Sequence, residues 1–320
     1  MTRWSGSRRG GSPADDDDET DEPDSKARLL LPALGFSLPT ANCQGRVPPM
    51  EPVTTQGVDV PALGFGTARF DSNDVCQGAV EVALETGYRH VDTAQMYNTE
   101  PAVGAAIEAA DADREAVFVT TKLDEGNRDR DSVLASTERS LERLRADSID
   151  LLLIHSPNET VPLEETVSAM NDLQERGAVD HIGVSNFSVT QLRRAMEHSA
   201  TPVITNQVEY HPNTEQADLL EFCIDEAVML TAYSPLDVGD VMDDTMLAEI
   251  ANRHDKTAPQ VAVRWLLQQE MVSTVPKAAE HEHVRENFRV FDFELSDDEM
   301  RRIFEREDGL NDGLRERLDL

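Results

Sequence analysis

Eight short apolar runs recur along this chain, each followed by a stretch with helical periodicity. They fall at Leu63–Gly66, His90–Asp92, Val117–Thr121, Ile149–Ile154, His181–Val184, Ile204–Val208, Val228–Tyr233 and Val272–Val275. Runs this short, apolar on both faces, read as strands of a parallel sheet covered on both sides. The intervening segments carry apolar residues one helical turn apart. Val80, Ala83 and Leu84 share a face that stops at Gly87, Leu134, Thr137, Leu141 and Leu144 share another, and Val261 and Trp265 a third beside Ala262 and Leu266. Eight strand–helix units predict an α/β chain closed as a (β/α)8 TIM barrel rather than an open sheet. The interval before the last strand is long enough for two helices. The Gly64-Phe65-Gly66 start of a dinucleotide fingerprint fails, because Arg69 stands where its third glycine belongs.

Of the 320 residues, 62 are Asp or Glu and 29 are Lys or Arg, a net charge of -33. That balance argues against a nucleic-acid partner, because phosphate binding needs a basic face. No apolar run reaches the roughly 18 residues of a spanning helix, so no membrane partner is expected. Residues 1–49 hold 8 acids and 6 bases, so the negative charge belongs to the body. Only four of the basic residues are Lys: Lys26, Lys122, Lys256 and Lys277. An acidic blanket that avoids Lys points to a surface adapted to molar salt, as in a halophilic archaeon. The bland alternative is an acidic mesophile with GC-rich codons. Cys43, Cys76 and Cys223 lie far apart, giving neither a disulfide framework nor a zinc spacing, as expected of a reduced, cytoplasmic compartment.

Residues 1–49 read as a disordered or mispredicted extension, with a true start at Met50, and residues 50–320 as a single barrel. The extension holds almost nothing to bury. Arg8-Arg9 is followed by the acid run Asp15–Asp18 rather than by the apolar stretch of an export signal. The shared PALGF of Pro32–Phe36 and Pro61–Phe65 is one match and no repeat architecture.

Barrel chemistry sits where strands end. The polar residues after the runs are Asp92, Lys122, His155, Ser185-Asn186, Gln207, Tyr233-Ser234 and Lys277, with Tyr97 five residues past Asp92. Taken singly, Lys122 is also readable as a structural ion-pair partner of Asp92, His155 as a satisfied core histidine, and Tyr97 as packing. Together they make a device. A Tyr hydroxyl, with an ordinary pKa of about 10, serves as a general acid when a neighbouring ammonium brings it down. A carboxylate orients that ammonium, and a neutral His donates to the oxygen being reduced.

These residues resemble the aldo-keto reductases over about residues 54–304. GYRHVDTAQMYNTEPAVG (Gly87–Gly104) is similar to the main family signature over its full length. TTKL, LLLIHSP, IGVSNF, NQVEYHP and AYSPL follow in family order from Thr120, Leu151, Ile182, Asn206 and Ala232. The likeness is to bacterial and archaeal members of the aldehyde or 2,5-diketo-D-gluconic acid reductase type. It implies a catalytic tetrad of Asp92, Tyr97, Lys122 and His155, with Tyr97 the proton donor. It implies cofactor contacts from Ser185, Asn186, Gln207, Tyr233, Ser234, Lys277, Glu286 and Asn287. Lys277 matches the lysine that meets the adenosine 2′-phosphate, so NADPH is the implied cofactor, with NADH possible. A small carbonyl compound is the implied substrate, and a monomer or weak oligomer the expected state.

Three departures qualify the likeness. Ala278 and His283 replace a frequent Ser and Arg, weakening the phosphate contact. Ser156 replaces a frequent Trp, opening one wall of the substrate site. The end of the chain, Asp308–Leu320, is polar and short, which favours small polar carbonyls over steroids. Two other classes compete. One is a cofactor-binding regulatory subunit, and the other a Schiff-base aldolase using Lys122. No P-loop, HExxH or CxxC occurs. His281-Glu282-His283 reads as a helix start, so no metal is expected. Asp292–Glu299 reads as a solvated helix start capped by Ser296.

Overall fold

The structure, a computed structural model, describes residues 52–110 and 113–305. The expectations for residues 1–49, for Cys43 and for Asp308–Leu320 lie outside the described residues. The chain enters through a hairpin of β1 (Pro52–Thr55) and β2 (Val58–Pro61). Gln56 and Gly57 turn it with φ of 49° and 83°, the positive values that a two-residue hairpin loop demands. Thr55 is fully buried, and its hydroxyl donates to Ile204 O at 2.8 Å. The hairpin therefore plugs the barrel at its N-terminal end, where Val60 packs with Leu151, Leu153, Ile204 and Met229.

The eight apolar runs form eight parallel strands. They are β3 (Phe65–Gly66), β4 (His90–Asp92), β5 (Phe118–Leu123), β6 (Ile149–Ile154), β7 (Val179–Ser185), β8 (Val203–Glu209), β9 (Met229–Tyr233) and β10 (Val272–Thr274). Each pairs with its sequence neighbour, and Gly64 N–H donates to Thr274 O at 2.8 Å while Thr274 N–H donates to Ala62 O at 2.9 Å. These bonds join the two edges of the sheet, and the fold is the (β/α)8 barrel. Leu151 and Leu153 face the interior, whereas Leu152 and Ile154 pack under the helices. Burial on both faces is why the strands read as continuous apolar runs.

The helices are α1 (Asn73–Thr86), α2 (Glu100–Ala109), α3 (Arg130–Leu144), α4 (Leu163–Glu175), α5 (Val189–His198) and α6 (Ala217–Asp225). They continue with α7 (Thr245–Arg253), α8 (Ala258–Leu267), α9 (His281–Phe288) and α10 (Asp297–Phe304). Two of them, α7 and α8, fill the long interval before β10. Among the described residues no helix is long and apolar enough to cross a membrane. Gly87 ends α1 at φ 124°, pairing its N–H with Ala83 O.

Ser296 caps α10 as the sequence suggests, but the solvated reading of Glu299 needs correction. Its side chain is buried and accepts from Ser296 N–H and from His254 Nε2 at 3.0 Å each. A polar residue with two such partners leaves the surface without an unpaired charge.

The helices α2 and α3 pack closely at Gly104. A methyl group added to Gly104 would lie 2.6 Å from Arg143 O and 2.7 Å from Leu144 C. Nearby, the buried Glu100 carboxylate accepts from Thr121 Oγ1 and from Arg143 Nε, at 2.7 Å each, tying α2 to β5 and α3. Backbone atoms cannot swing aside, so Gly104→Ala should destabilise the fold by about 1–3 kcal/mol in chemical denaturation. An unchanged midpoint would contradict this packing.

Candidate active site

Strand register brings the polar strand ends to one rim. β4 ends on Asp92 and β5 carries Lys122, both buried inside the barrel. Lys122 Nζ donates to Asp92 Oδ1 at 2.5 Å and to Thr93 O at 2.8 Å. The second carboxylate oxygen, Asp92 Oδ2, accepts from Gln207 Nε2 at 2.7 Å. One ion pair thus joins β4 to β5 and, through Gln207, to β8. Burial by itself would lower the Lys122 ammonium. The Asp92 charge, then Tyr97 and the hydrogen bonds, outweigh it and hold Lys122 above its ordinary lysine value.

Tyr97 closes a short 3-10 turn, Gln95–Tyr97, rather than lying in an irregular loop. Lys122 Nζ sits 5.1 Å from the centroid of its ring. The turn is anchored by Gln95, whose Oε1 accepts from Asp124 N–H at 3.0 Å and from Asn127 Nδ2 at 2.9 Å. Sequence reasoning missed Gln95. Its only signal was its place between Asp92 and Tyr97.

His155 follows the last residue of β6, and its ring stands edge-on to Tyr97, 5.6 Å between centroids at 81°. Burial first, then the Lys122 charge, pulls its pKa down to about 4, with a further contribution from Arg128. The imidazole is therefore neutral at neutral pH, and its Nδ1 is buried with no partner. Its carbonyl accepts from Asn186 Nδ2 at 3.0 Å.

The groups after β7, β8 and β9 are linked to one another. Ser185 Oγ donates to Gln207 O at 2.8 Å, and Tyr233 Oη donates to Asn186 Oδ1 at 2.9 Å. Asn186 and Ser234 hold φ of 62° and 50°, a left-handed turn that redirects the chain as it leaves each strand. Tyr233 is half-buried, and burial raises its pKa above the ordinary tyrosine value. Lys277, exposed after β10, sets Nζ 4.5 Å from the centroid of Phe70. Glu286 and Asn287 lie on α9, the next helix, and Ala278 is buried while His283 is exposed. Ser156 donates from Oγ to Glu125 Oε1 at 3.0 Å. Burial pushes the Cys76 and Cys223 thiols up to about 12, so neither ionises at neutral pH.

A neutral imidazole, a phenol and a paired ammonium thus stand together around one rim, a set of groups that can donate a proton and a hydrogen bond. A profile of the Aldo/keto reductase family matches residues 62–307. The chain belongs to the aldo/keto reductase family. It is 37% identical over 247 residues to glyoxal reductase of Bacillus subtilis (strain 168), covering 77% of this chain and 89% of that protein. It is 34% identical to methylglyoxal reductase DkgB of Escherichia coli O157:H7, covering 76% of this chain and 92% of that protein. The crystal structure of a putative 2,5-diketo-D-gluconic acid reductase B superposes with a TM-score of 0.79 at 43% identity, covering 82% of this chain and 94% of that one. This aldo/keto reductase is accordingly an oxidoreductase of a carbonyl-reducing family that uses nicotinamide cofactors.

The electrostatics of the rim can be checked by nuclear magnetic resonance, with His155→Asn used for assignment. The His155 imidazole should titrate near pH 4 in the wild type and at higher pH in Lys122→Met, which removes an adjacent positive charge. A wild-type midpoint at the ordinary histidine value of about 6.5 would contradict the geometry.

Proposed function

We propose that this protein reduces a small, polar aldehyde or ketone to the alcohol, with NADPH preferred over NADH. The observation that carries the reading is the buried Asp92–Lys122 pair set beneath Tyr97 and beside a neutral His155. Bound at this rim, the nicotinamide supplies a hydride to the carbonyl carbon. His155 holds the carbonyl oxygen by a hydrogen bond from its ring N–H, the Nε2 tautomer being favoured because Nδ1 is buried without a partner. Tyr97 gives its hydroxyl proton to that oxygen, and the Lys122 ammonium stabilises the phenolate left behind.

The residues suit a nicotinamide cofactor. Asn186 and Gln207 carry amides that both donate and accept, and Ser185 adds a hydroxyl, a set able to pair with a carboxamide. Tyr233, tied to Asn186, offers a ring for the nicotinamide to stack on. Ser234 follows it at the rim. Lys277 has no carboxylate ion pair among the described residues, so its charge is available to a 2′-phosphate. Glu286 and Asn287, on α9, would meet the adenine. With Ala278 and His283 in place of a hydroxyl and a guanidinium, the phosphate contact rests on Lys277 alone.

Relatives named for glyoxal and methylglyoxal support a small polar substrate. The Schiff-base alternative needs a neutral lysine amine, and the Asp92 contact works against it. The regulatory alternative has no observation in its favour. We place the enzyme in the cytoplasm of a salt-adapted cell, as a monomer or weak oligomer.

Oxidation of NADPH and NADH at molar KCl with methylglyoxal, glyoxal and keto acids tests the reaction directly. Tyr97→Phe should lose about 10²–10⁴-fold in turnover while binding the cofactor nearly normally. Full activity in that variant refutes the proton-donor role. Lys277→Ala should weaken NADPH roughly 10- to 100-fold, the worth of a charged hydrogen bond, and leave NADH almost unchanged. Equal losses for the two cofactors would remove Lys277 from the phosphate site. With a net charge of -33 to screen, thermal stability should rise from low to molar KCl, and a maximum at low salt would refute salt adaptation.

A further inference from the structure

On the outer side of the barrel wall, behind the strand end that carries His155, lies a cavity of about 280 Å³. Ile154, whose side chain packs under the helix layer rather than into the barrel, forms part of its wall. The cavity is therefore separate from the rim where Tyr97 and Lys122 meet. Pro157, Val161, Leu163 and Phe187 give it an apolar lining. Its polar lining includes Arg128 and Arg194, and Glu159 sits exposed at its edge.

Arg128 is the unusual member. It is 2% exposed, and its Nε and Nη1 are buried with no hydrogen-bond partner. Only Nη2 is engaged, donating to Ser156 O at 3.1 Å. Asp124 and Glu125 lie near enough for their charges to act on it, but neither makes an ion pair with it, and Glu125 Oε1 is taken by Ser156 Oγ at 3.0 Å. Burial draws its pKa down to about 10, which leaves it charged at neutral pH. Buried donors almost always have partners, so a charged guanidinium with two idle nitrogens signals a missing acceptor.

Two further features point the same way. Leu163 and Thr166, from the first turn of α4, also line the cavity, and the capping residue, Pro162, provides no side-chain acceptor for the first N–H groups of the helix. The first turn of α4 therefore borders the same space, its positive end partly offset by Glu164 and Glu165. Arg194, exposed on α5, brings a second guanidinium with no ion pair among the described residues.

We propose that this cavity binds a small organic carboxylate with a short apolar body, its charge received by Arg128 and Arg194 and its body by Pro157, Val161, Leu163 and Phe187. The volume is far larger than an inorganic ion needs, and apolar side chains share the lining with the arginines, which selects a carboxylate that carries carbon with it. A guanidinium suits a carboxylate because its planar fork can offer two parallel N–H groups.

Calorimetric titration of the full-length protein without cofactor, at one fixed KCl concentration, tests this with benzoate and butyrate as probes. Benzyl alcohol serves as the uncharged counterpart. Benzoate should bind saturably and at least tenfold more tightly than benzyl alcohol. Arg128→Met and Arg194→Ala should each weaken it tenfold or more, and Tyr97→Phe should leave it unchanged. Arg194 is exposed, so its variant keeps the test decisive if Arg128→Met fails to fold. Three results would overturn the proposal. They are no saturable binding of either acid, equal affinity for benzyl alcohol, and binding that is lost in Tyr97→Phe but kept in the arginine variants.

Discussion

Burying an ammonium and a carboxylate together is costly unless each finds the other and its remaining valences are also met. Asp92 and Lys122 meet both conditions. They touch at 2.5 Å, and Thr93 O and Gln207 Nε2 take up the remaining valences. Removing either partner would strand the other charge, at a cost of about 3–5 kcal/mol. The pair thereby ties β4, β5 and β8 together across the barrel interior. It also fixes an ammonium beneath Tyr97 and helps to keep His155 neutral. Site geometry and barrel register are consequences of the same contact.

Much of this was legible in the chain. Each of the eight apolar runs became a parallel strand because each is covered on both faces, and the polar residues named for seven of them lie at the same end because parallel strands all end on one side. Lys122 stood out in a chain nearly devoid of lysine, as a compact ammonium paired with Asp92 and set against the Tyr97 ring. What stayed hidden depends on tertiary contact. Gln95 gave no periodic signal, yet it anchors the turn that holds Tyr97. Arg128 was one arginine among many, and only its burial without partners distinguishes it. Glu299 read as surface because its run is acidic, whereas His254 and Ser296 draw it inward.

The net negative charge of the chain and the buried Asp92–Lys122 pair answer to salt differently. Surface carboxylates repel one another and are relieved by salt, while the Asp92–Lys122 pair is shielded from salt by burial. The arrangement is therefore suited to keep its local field when the surroundings are strongly ionic. Exposed cations such as Lys277 lack that shelter, so salt screens them far more than it screens the buried pair.

The central claim is that Asp92 and Lys122 act on catalysis as one unit. A double-mutant cycle on kcat/KM for NADPH-dependent methylglyoxal reduction tests it most directly, using Asp92→Asn, Lys122→Met and their combination. If the pair works as a unit, the combined variant loses no more than the worse single variant. Losses that multiply would show the two residues acting independently and would contradict the account.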